Sequence, residues 1–92
     1  MKKTPPPQTI AEAVERLMLT LGAPRLSAFA AESQERLGNF HFSLGLYIRN
    51  HYGIFDRHSA LLKDCEVQAG HSVDPDEASM MVLQALWKRL HS

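Results

Sequence analysis

The chain of 92 residues has a single cysteine, Cys65, and lacks the apolar run of about 18–20 residues that a membrane-spanning helix needs. A lone cysteine excludes a disulfide within the chain and is typical of proteins kept in a reducing compartment. The charged residues Glu12, Glu15 and Arg16 interrupt the first apolar stretch, which an export signal does not tolerate. We therefore expect a soluble, cytoplasmic protein that has no membrane partner.

Net charge is also lacking, because ten basic and ten acidic side chains cancel at pH 7. A protein that binds nucleic acid by neutralising many phosphates needs an excess of basic residues, so we do not expect nucleic acid as a partner. A chain this short has room for one small core and a modest net stability. Burying more apolar surface in a homodimer is a common remedy, and a homodimer is therefore one expectation.

Patterns that carry catalysis or bind metals are absent from the sequence. No two histidines lie four residues apart, and the chain contains neither Cys-x-x-Cys nor His-Glu-x-x-His. A glycine-rich phosphate loop and a nucleophile–base pair are missing as well. We therefore predict that the protein is not an enzyme, has no catalytic residues and holds no metal or cofactor. The histidines are His41, His51, His58, His71 and His91.

What the chain does contain is apolar residues at steps of three and four, a pattern that predicts an all-α fold. No strand-like alternation and no internal repeat is present. We expect one domain, a compact bundle of four to five helices over residues 9–91. Residues 1–8, which include Pro5-Pro6-Pro7, are expected to form an extended, proline-rich N-terminal lead-in.

Caps and stop signals place the ends of the predicted helices. The clearest start is Asp74-Pro75-Asp76-Glu77, which supplies an N-cap, a proline at the first helical position and two carboxylates that the helix dipole favours. Capping explains these carboxylates better than acid–base catalysis does. Likewise, Cys65 falls on an apolar stripe and is interpreted as a packed thiol. The predicted helices span 10–21, 24–31, 34–52, 60–69 and 75–90.

The densest group of polar residues in an apolar context lies between Phe40 and Gly53, towards the end of the third predicted helix. In a structural interpretation, Arg49 hydrogen-bonds the last helix carbonyls or a carboxylate from a loop or from the last helix. In a functional interpretation, Arg49 anchors a partner carboxylate or a small anionic ligand, with aromatic rings beside it. The candidate binding residues here are Arg49, Asn50, His51, Tyr47 and Tyr52.

Glycines give this helix a second notable feature. Gly38 and Gly45 share one predicted face with Phe42 and Arg49, so a neighbouring backbone or a ligand can approach closely there. Each glycine costs a helix about 1 kcal/mol relative to alanine, and close packing is the expected compensation.

On the last helix, Met80, Leu83 and Trp87 form a second apolar face beyond the stripe that the core requires. This face needs a neighbour to cover it, and the sequence leaves three alternatives. It packs against the second helix, forms a homodimer contact, or binds a protein partner for which methionine and tryptophan supply adaptable contact area.

The third and last helices together carry a pattern of the form Leu-Gly-x-x-Ile-Arg-Asn-x-x-Gly followed by Pro-Asp-Asp/Glu-x-Ser. In this pattern, over roughly residues 37–90, the chain resembles a family of small bacterial domains of unknown function. The resemblance implies no activity. The chain departs from the pattern at Val73-Asp74, where His-Pro is expected, and His71 is displaced upstream. The matching residues are His41, Leu44, Gly45, Ile48, Arg49, Asn50, Gly53, Ile54, Phe55, Leu61, Pro75, Asp76, Ser79 and Trp87.

The leading hypothesis is a non-enzymatic protein-binding module that acts through a helical surface, as a small inhibitor, an immunity-type protein or a regulatory protein. The alternative is a small-ligand binder that holds an anionic metabolite or nucleotide near Arg49 and Asn50. Burial distinguishes the two hypotheses. Exposure of Trp87 or Met80 favours protein contact, whereas an Arg49 head group in a concave site favours ligand binding.

Overall fold

A computed structural model of the chain describes residues 5–92, so residues 1–4 of the predicted lead-in lie outside the described residues. The described residues form helices and no strand, which confirms the all-α, single-domain prediction. The five helices are α1 (Ile10–Ala31), the 3₁₀ helix η1 (Gln34–Phe40), α2 (Leu44–His51), α3 (Ala60–Ala69) and α4 (Pro75–Leu90).

α1 consists of two helical segments that meet at a kink. The side chain of Thr9 caps its start by accepting a hydrogen bond from the backbone amide of Glu12 at 3.1 Å. Gly22 leaves the helical conformation with φ 77°, a region that glycine enters without the steric penalty of a Cβ. Pro24 follows two residues later and has no amide hydrogen to donate. The predicted helix break at this point is confirmed.

The third predicted helix is not continuous, and this part of the prediction is wrong. η1 and α2 are separated by a turn in which Ser43 has non-helical angles, φ −111° and ψ −92°. The carbonyl of His41 accepts a hydrogen bond from the Arg49 guanidinium at 2.9 Å instead of continuing a helical ladder. Consequently, Gly38 and Phe42 do not share a helical face with Arg49.

α3 and α4 begin and end at the predicted residues. The Ser59 hydroxyl accepts from the amide of Leu62 at 3.2 Å, and Gly70 ends α3 in the left-handed conformation. The Asp74 carboxylate accepts from the amide of Glu77 at 2.8 Å and caps α4. Local sequence is therefore sufficient to position both helices.

α4 lies at the centre of the fold and contacts every other helix. Cys65 is part of the core it organises, which supports the interpretation of a packed thiol. Burial, with smaller contributions from the nearby Asp64 and Glu66 charges, raises the pKa of this thiol from 9.0 to about 11. The hydrophobic core cluster consists of Ala13, Val14, Leu17, Phe29, Leu37, Ile48, Tyr52, Ile54, Leu61, Leu62, Cys65, Val73, Ala78, Val82, Leu83 and Leu86.

The described part of the N-terminal lead-in packs against the domain. Pro7 is fully buried, and the carbonyl of Pro5 accepts a hydrogen bond from Arg16 at 2.6 Å. The first amide of α1, that of Ile10, donates to the carboxylate of Asp64 at 2.8 Å and so connects α1 to α3. Within residues 5–92, no helix combines the length and the hydrophobicity that crossing a membrane requires.

Candidate functional site

Arg49, on α2, is 4% exposed, and Ser79 is the other buried polar residue among those described. Burying a charge is costly unless hydrogen bonds and an opposite charge compensate it. The guanidinium donates from Nη2 to the carbonyl of His41 at 2.9 Å and from Nη1 to the hydroxyl of Ser79 at 3.0 Å. Its Nε lies 3.5 Å from Oδ1 of Asp76. Arg49 therefore joins the turn before α2 to the first turns of α4.

The partners of Arg49 are themselves held in place. The Ser79 hydroxyl donates to the carbonyl of Asp76 at 2.9 Å, which leaves its oxygen lone pairs for the guanidinium. Nδ1 of His41 lies 3.4 Å from Nη1 of Arg49, and Nε2 of the same ring lies 3.9 Å from Oδ2 of Asp76. When Nδ1 accepts from the arginine, the neutral ring carries its proton on Nε2, facing the Asp76 carboxylate.

Gly45 leaves the space that the guanidinium occupies. A Cβ at this position would lie 3.1 Å from Nη1 of Arg49 and 3.2 Å from the carbonyl oxygen of Phe40. Nothing lies within 4 Å of the corresponding position at Gly38. Close packing thus explains the glycine at position 45. It does not explain the glycine at position 38. We call His41, Gly45, Arg49, Asp76 and Ser79 together the Arg49 clamp.

The turn that the Arg49 clamp holds presents a large apolar side chain to solvent. Phe42, in the turn before α2, is 82% exposed, and Leu46, in the first turn of α2, is 41% exposed. The Phe42 ring meets the ring of His41 edge to face, with centroids 4.6 Å apart. We call Phe42 and Leu46 the Phe42–Leu46 surface. Aromatic side chains, phenylalanine included, are enriched in protein interfaces relative to the rest of the surface.

The remaining candidates on α2 do not gather around Arg49 as a ligand site. Asn50 and His51 are exposed, and the His51 ring stacks on Tyr47 with centroids 4.4 Å apart. Three grooves of the described structure are lined by residues other than these. Because Arg49 is paired with a carboxylate of the last helix, the geometry favours its structural interpretation.

Tyr52 is a core residue and offers no stacking surface to a ligand. It is 2% exposed, and its hydroxyl has no hydrogen-bond partner within residues 5–92. Burial, with a smaller contribution from Tyr47, raises its pKa from 10.0 to about 12, whereas Arg16 has a lowering effect. The Arg16 guanidinium carbon lies 5.9 Å from the centre of the Tyr52 ring.

The predicted second apolar face of α4 is largely covered within the chain. Leu83 is fully buried. Trp87 is half-buried, and its Nε1 donates to the carbonyl of Glu32, at the end of α1, at 2.8 Å. Its ring also stacks on His91 with centroids 3.9 Å apart. Of the three alternatives, packing against the second helical segment is the one the structure shows, and Met80 and Trp87 of this face remain half-exposed.

Sequence reasoning missed the exposure of Phe42 and Leu46. Apolar periodicity carries no signal for the exposure of Phe42, because the turn at Ser43 interrupts the helical spacing on which that periodicity depends. Among the described residues, no group of three or more histidine, cysteine, aspartate or glutamate side chains is arranged to hold a metal ion.

Comparison with known proteins identifies a family but no activity. No curated protein and no solved structure matches the chain. A family match covers residues 6–90, which is most of the chain and includes every residue of the Arg49 clamp. The family it identifies carries the description "Domain of unknown function (DUF6794)", and the chain belongs to this family.

Proposed function

We propose that the protein is a non-enzymatic protein-binding module that contacts its partner through the Phe42–Leu46 surface. The observation that carries this proposal is the exposure of Phe42, at 82%, in a turn whose backbone a buried arginine fixes. Transferring such a side chain from water into an apolar pocket is worth about 1.5–3 kcal/mol. A backbone that is already ordered loses little further entropy when it binds.

The chemistry around the surface describes the partner it fits. Asn50 follows Leu46 by one helical turn, and Ser43 is adjacent to Phe42, so uncharged hydrogen-bonding groups flank the apolar pair. The complementary partner offers an apolar pocket edged by hydrogen-bond donors and acceptors. A small inhibitor, an immunity-type protein or a regulatory protein can act in this way, and in a homodimer a second copy would supply the pocket.

The other classes receive less support from the geometry. An anionic ligand held by Arg49 and Asn50 would have to compete with Asp76 for a guanidinium that is already buried. Equal numbers of acidic and basic residues give no basis for proposing nucleic acid as a partner. A single buried thiol agrees with a cytoplasmic location, which we propose on that ground.

Site-specific photo-crosslinking in the protein's own host cell tests the proposal. Phe42 is replaced by the photoreactive analogue p-benzoylphenylalanine, and the same analogue at Phe55, which is also an exposed phenylalanine, is the matched control. We expect a discrete covalent adduct from position 42 and none of that mass from position 55. An adduct of twice the chain mass would identify the homodimer.

Two charge-introducing variants complete the experiment. Leu46→Asp places a carboxylate on the proposed contact and should abolish the adduct, whereas Val67→Asp changes an exposed apolar residue on α3 and should leave it intact. The proposal is refuted by the absence of an adduct at position 42, by an equal adduct at position 55, or by an adduct that survives Leu46→Asp.

A further inference from the structure

A groove between α1 and α4 uses residues that the Phe42–Leu46 surface does not. Its volume is about 470 Å³, within the range of small-molecule sites. Ile10 and Val14 on α1 and Met81 and Ala85 on α4 line it with apolar side chains. Along α4 the apolar residues Met81 and Ala85 span about one helical turn, or about 6 Å, and the lining continues to Lys88, about 10 Å from Met81. The groove therefore matches the length of a medium-chain alkyl group together with a polar head at the Lys88 end.

The polar residues of the groove carry an unbalanced positive charge. Glu15, Lys88 and Arg89 line it together with the amide side chains of Gln68 and Gln84. Nη1 of Arg89 lies 2.6 Å from Oε1 of Glu15, so this carboxylate is already paired. Within residues 5–92, Lys88 takes part in no ion pair. Among the lining residues, two cations and one carboxylate leave a single positive charge, and the nearby carboxylate of Asp64, which accepts from the amide of Ile10, is not one of them.

We propose that this groove binds an apolar-tailed monocarboxylate. The alkyl tail lies along Ile10, Val14, Met81 and Ala85, where its burial supplies the favourable free energy. The carboxylate lies beside Lys88, with the glutamine amides within the same groove as further hydrogen-bond donors. A monoanion balances the one excess positive charge, whereas a doubly charged phosphate would reverse it.

Titration of the ¹⁵N-labelled full chain, followed by amide chemical shifts, tests this proposal with three probes of equal tail length. Octanoate is the proposed ligand class, octanol lacks the charge, and octyltrimethylammonium carries the opposite one. We expect saturable shifts at the amides of Ile10, Val14, Met81 and Ala85. Because an exposed ion pair contributes little, octanoate should bind about two- to five-fold more tightly than octanol, and octyltrimethylammonium most weakly.

Variants separate the contribution of the charge from that of the tail. Lys88→Glu should remove the preference for octanoate over octanol, whereas Lys63→Glu, on the exposed side of α3, should preserve it. Ala85→Leu fills the groove and should weaken the binding of both probes. The proposal is overturned if the shifts do not saturate, if they centre on Phe42 or Phe55, if the three probes bind equally, or if Lys88→Glu keeps the preference.

Discussion

Arg49→Ala is expected to destabilise the fold by about 3 kcal/mol, because it removes a buried guanidinium that joins α2, the preceding turn and α4. For a domain of this size the whole free energy of unfolding is about 5–10 kcal/mol. One side chain would thus account for a large part of the stability, although it lies on the shortest of the α-helices.

The magnitude follows from what the substitution leaves behind. The carbonyl of His41 and the hydroxyl of Ser79 lose charge-assisted hydrogen bonds of 2.9 Å and 3.0 Å, each worth about 1.5–3 kcal/mol. Asp76 is 67% exposed on its side chain, so water replaces the guanidinium there at little cost. Releasing Arg49 from the desolvation penalty offsets part of the loss, which places the estimate at about 3 kcal/mol, the lower end for breaking a buried ion pair.

Arg89→Ala is the matched control, since it breaks another arginine–carboxylate pair in the same protein. The Arg89–Glu15 distance of 2.6 Å is shorter than the 3.5 Å between Arg49 and Asp76, yet both members of that pair are about half exposed. Solvent screening should keep the cost of Arg89→Ala below about 1 kcal/mol. We expect the burial of each ion pair, and not its distance, to decide which of the two variants loses more free energy of unfolding.

Urea unfolding, followed by far-ultraviolet circular dichroism and by the fluorescence of Trp87, measures both free energies. The slopes of the transitions must agree for the comparison to hold. If Arg49→Ala loses no more stability than Arg89→Ala, then the Arg49 clamp does not hold the fold together and the structural interpretation of Arg49 fails.

Three further outcomes follow from the structure. Gly45→Ala should destabilise the protein by about 1–2 kcal/mol through overpacking. Gly38→Ala, which has open space around it, should be neutral or stabilising by up to about 1 kcal/mol. Equal effects of the two variants in urea unfolding would contradict the packing at position 45. Burial raises the pKa of Cys65 from 9.0 to about 11 and that of Tyr52 from 10.0 to about 12, so between these values the folded state retains protons that the unfolded state releases. The free energy of unfolding should therefore be constant just below pH 9 and fall from there to about pH 12. In Cys65→Ala the fall should begin about one pH unit higher, near the ordinary pKa of tyrosine, and an unchanged profile would contradict the burial of the thiol. Asp64→Ala removes the carboxylate that lies 2.8 Å from the first amide of α1 and accepts its hydrogen bond. The free energy of unfolding should fall by about 1 kcal/mol, measured by thermal unfolding. No change in melting temperature would show that this contact contributes nothing.

Local sequence predicts the helices whose ends depend on neighbouring residues. The cap at Asp74 and the stop at Gly70 have their causes within a few residues, and both are found at the predicted positions. The break at Ser43 lies beside a contact that is not local in sequence, because the Arg49 guanidinium donates to the backbone carbonyl of His41, eight residues earlier in the chain. Apolar periodicity continues through this turn and therefore predicts one helix where the structure has two.

The candidate site was also predictable only in part. A bond from Arg49 to a carboxylate of the last helix was one of the alternatives that the sequence left open, and Asp76 supplies it. The exposure of Phe42 depends on how the turn directs its side chain, which periodicity does not report. The covering of Trp87 depends on the position of Glu32 in the folded chain, 55 residues away in sequence.

The most direct test examines the Arg49 clamp and the Phe42–Leu46 surface in one experiment. It measures the crosslinking yield from the photoreactive analogue at position 42 in chains that differ only at one arginine. Arg49→Lys keeps the positive charge but not the planar fork of donors that reaches both His41 and Ser79. At a temperature where circular dichroism shows every chain to be folded, this variant should reduce the partner adduct, whereas Arg89→Lys should not. An adduct of undiminished yield in the folded Arg49→Lys chain would contradict the proposal that the Arg49 clamp presents Phe42 to a protein partner.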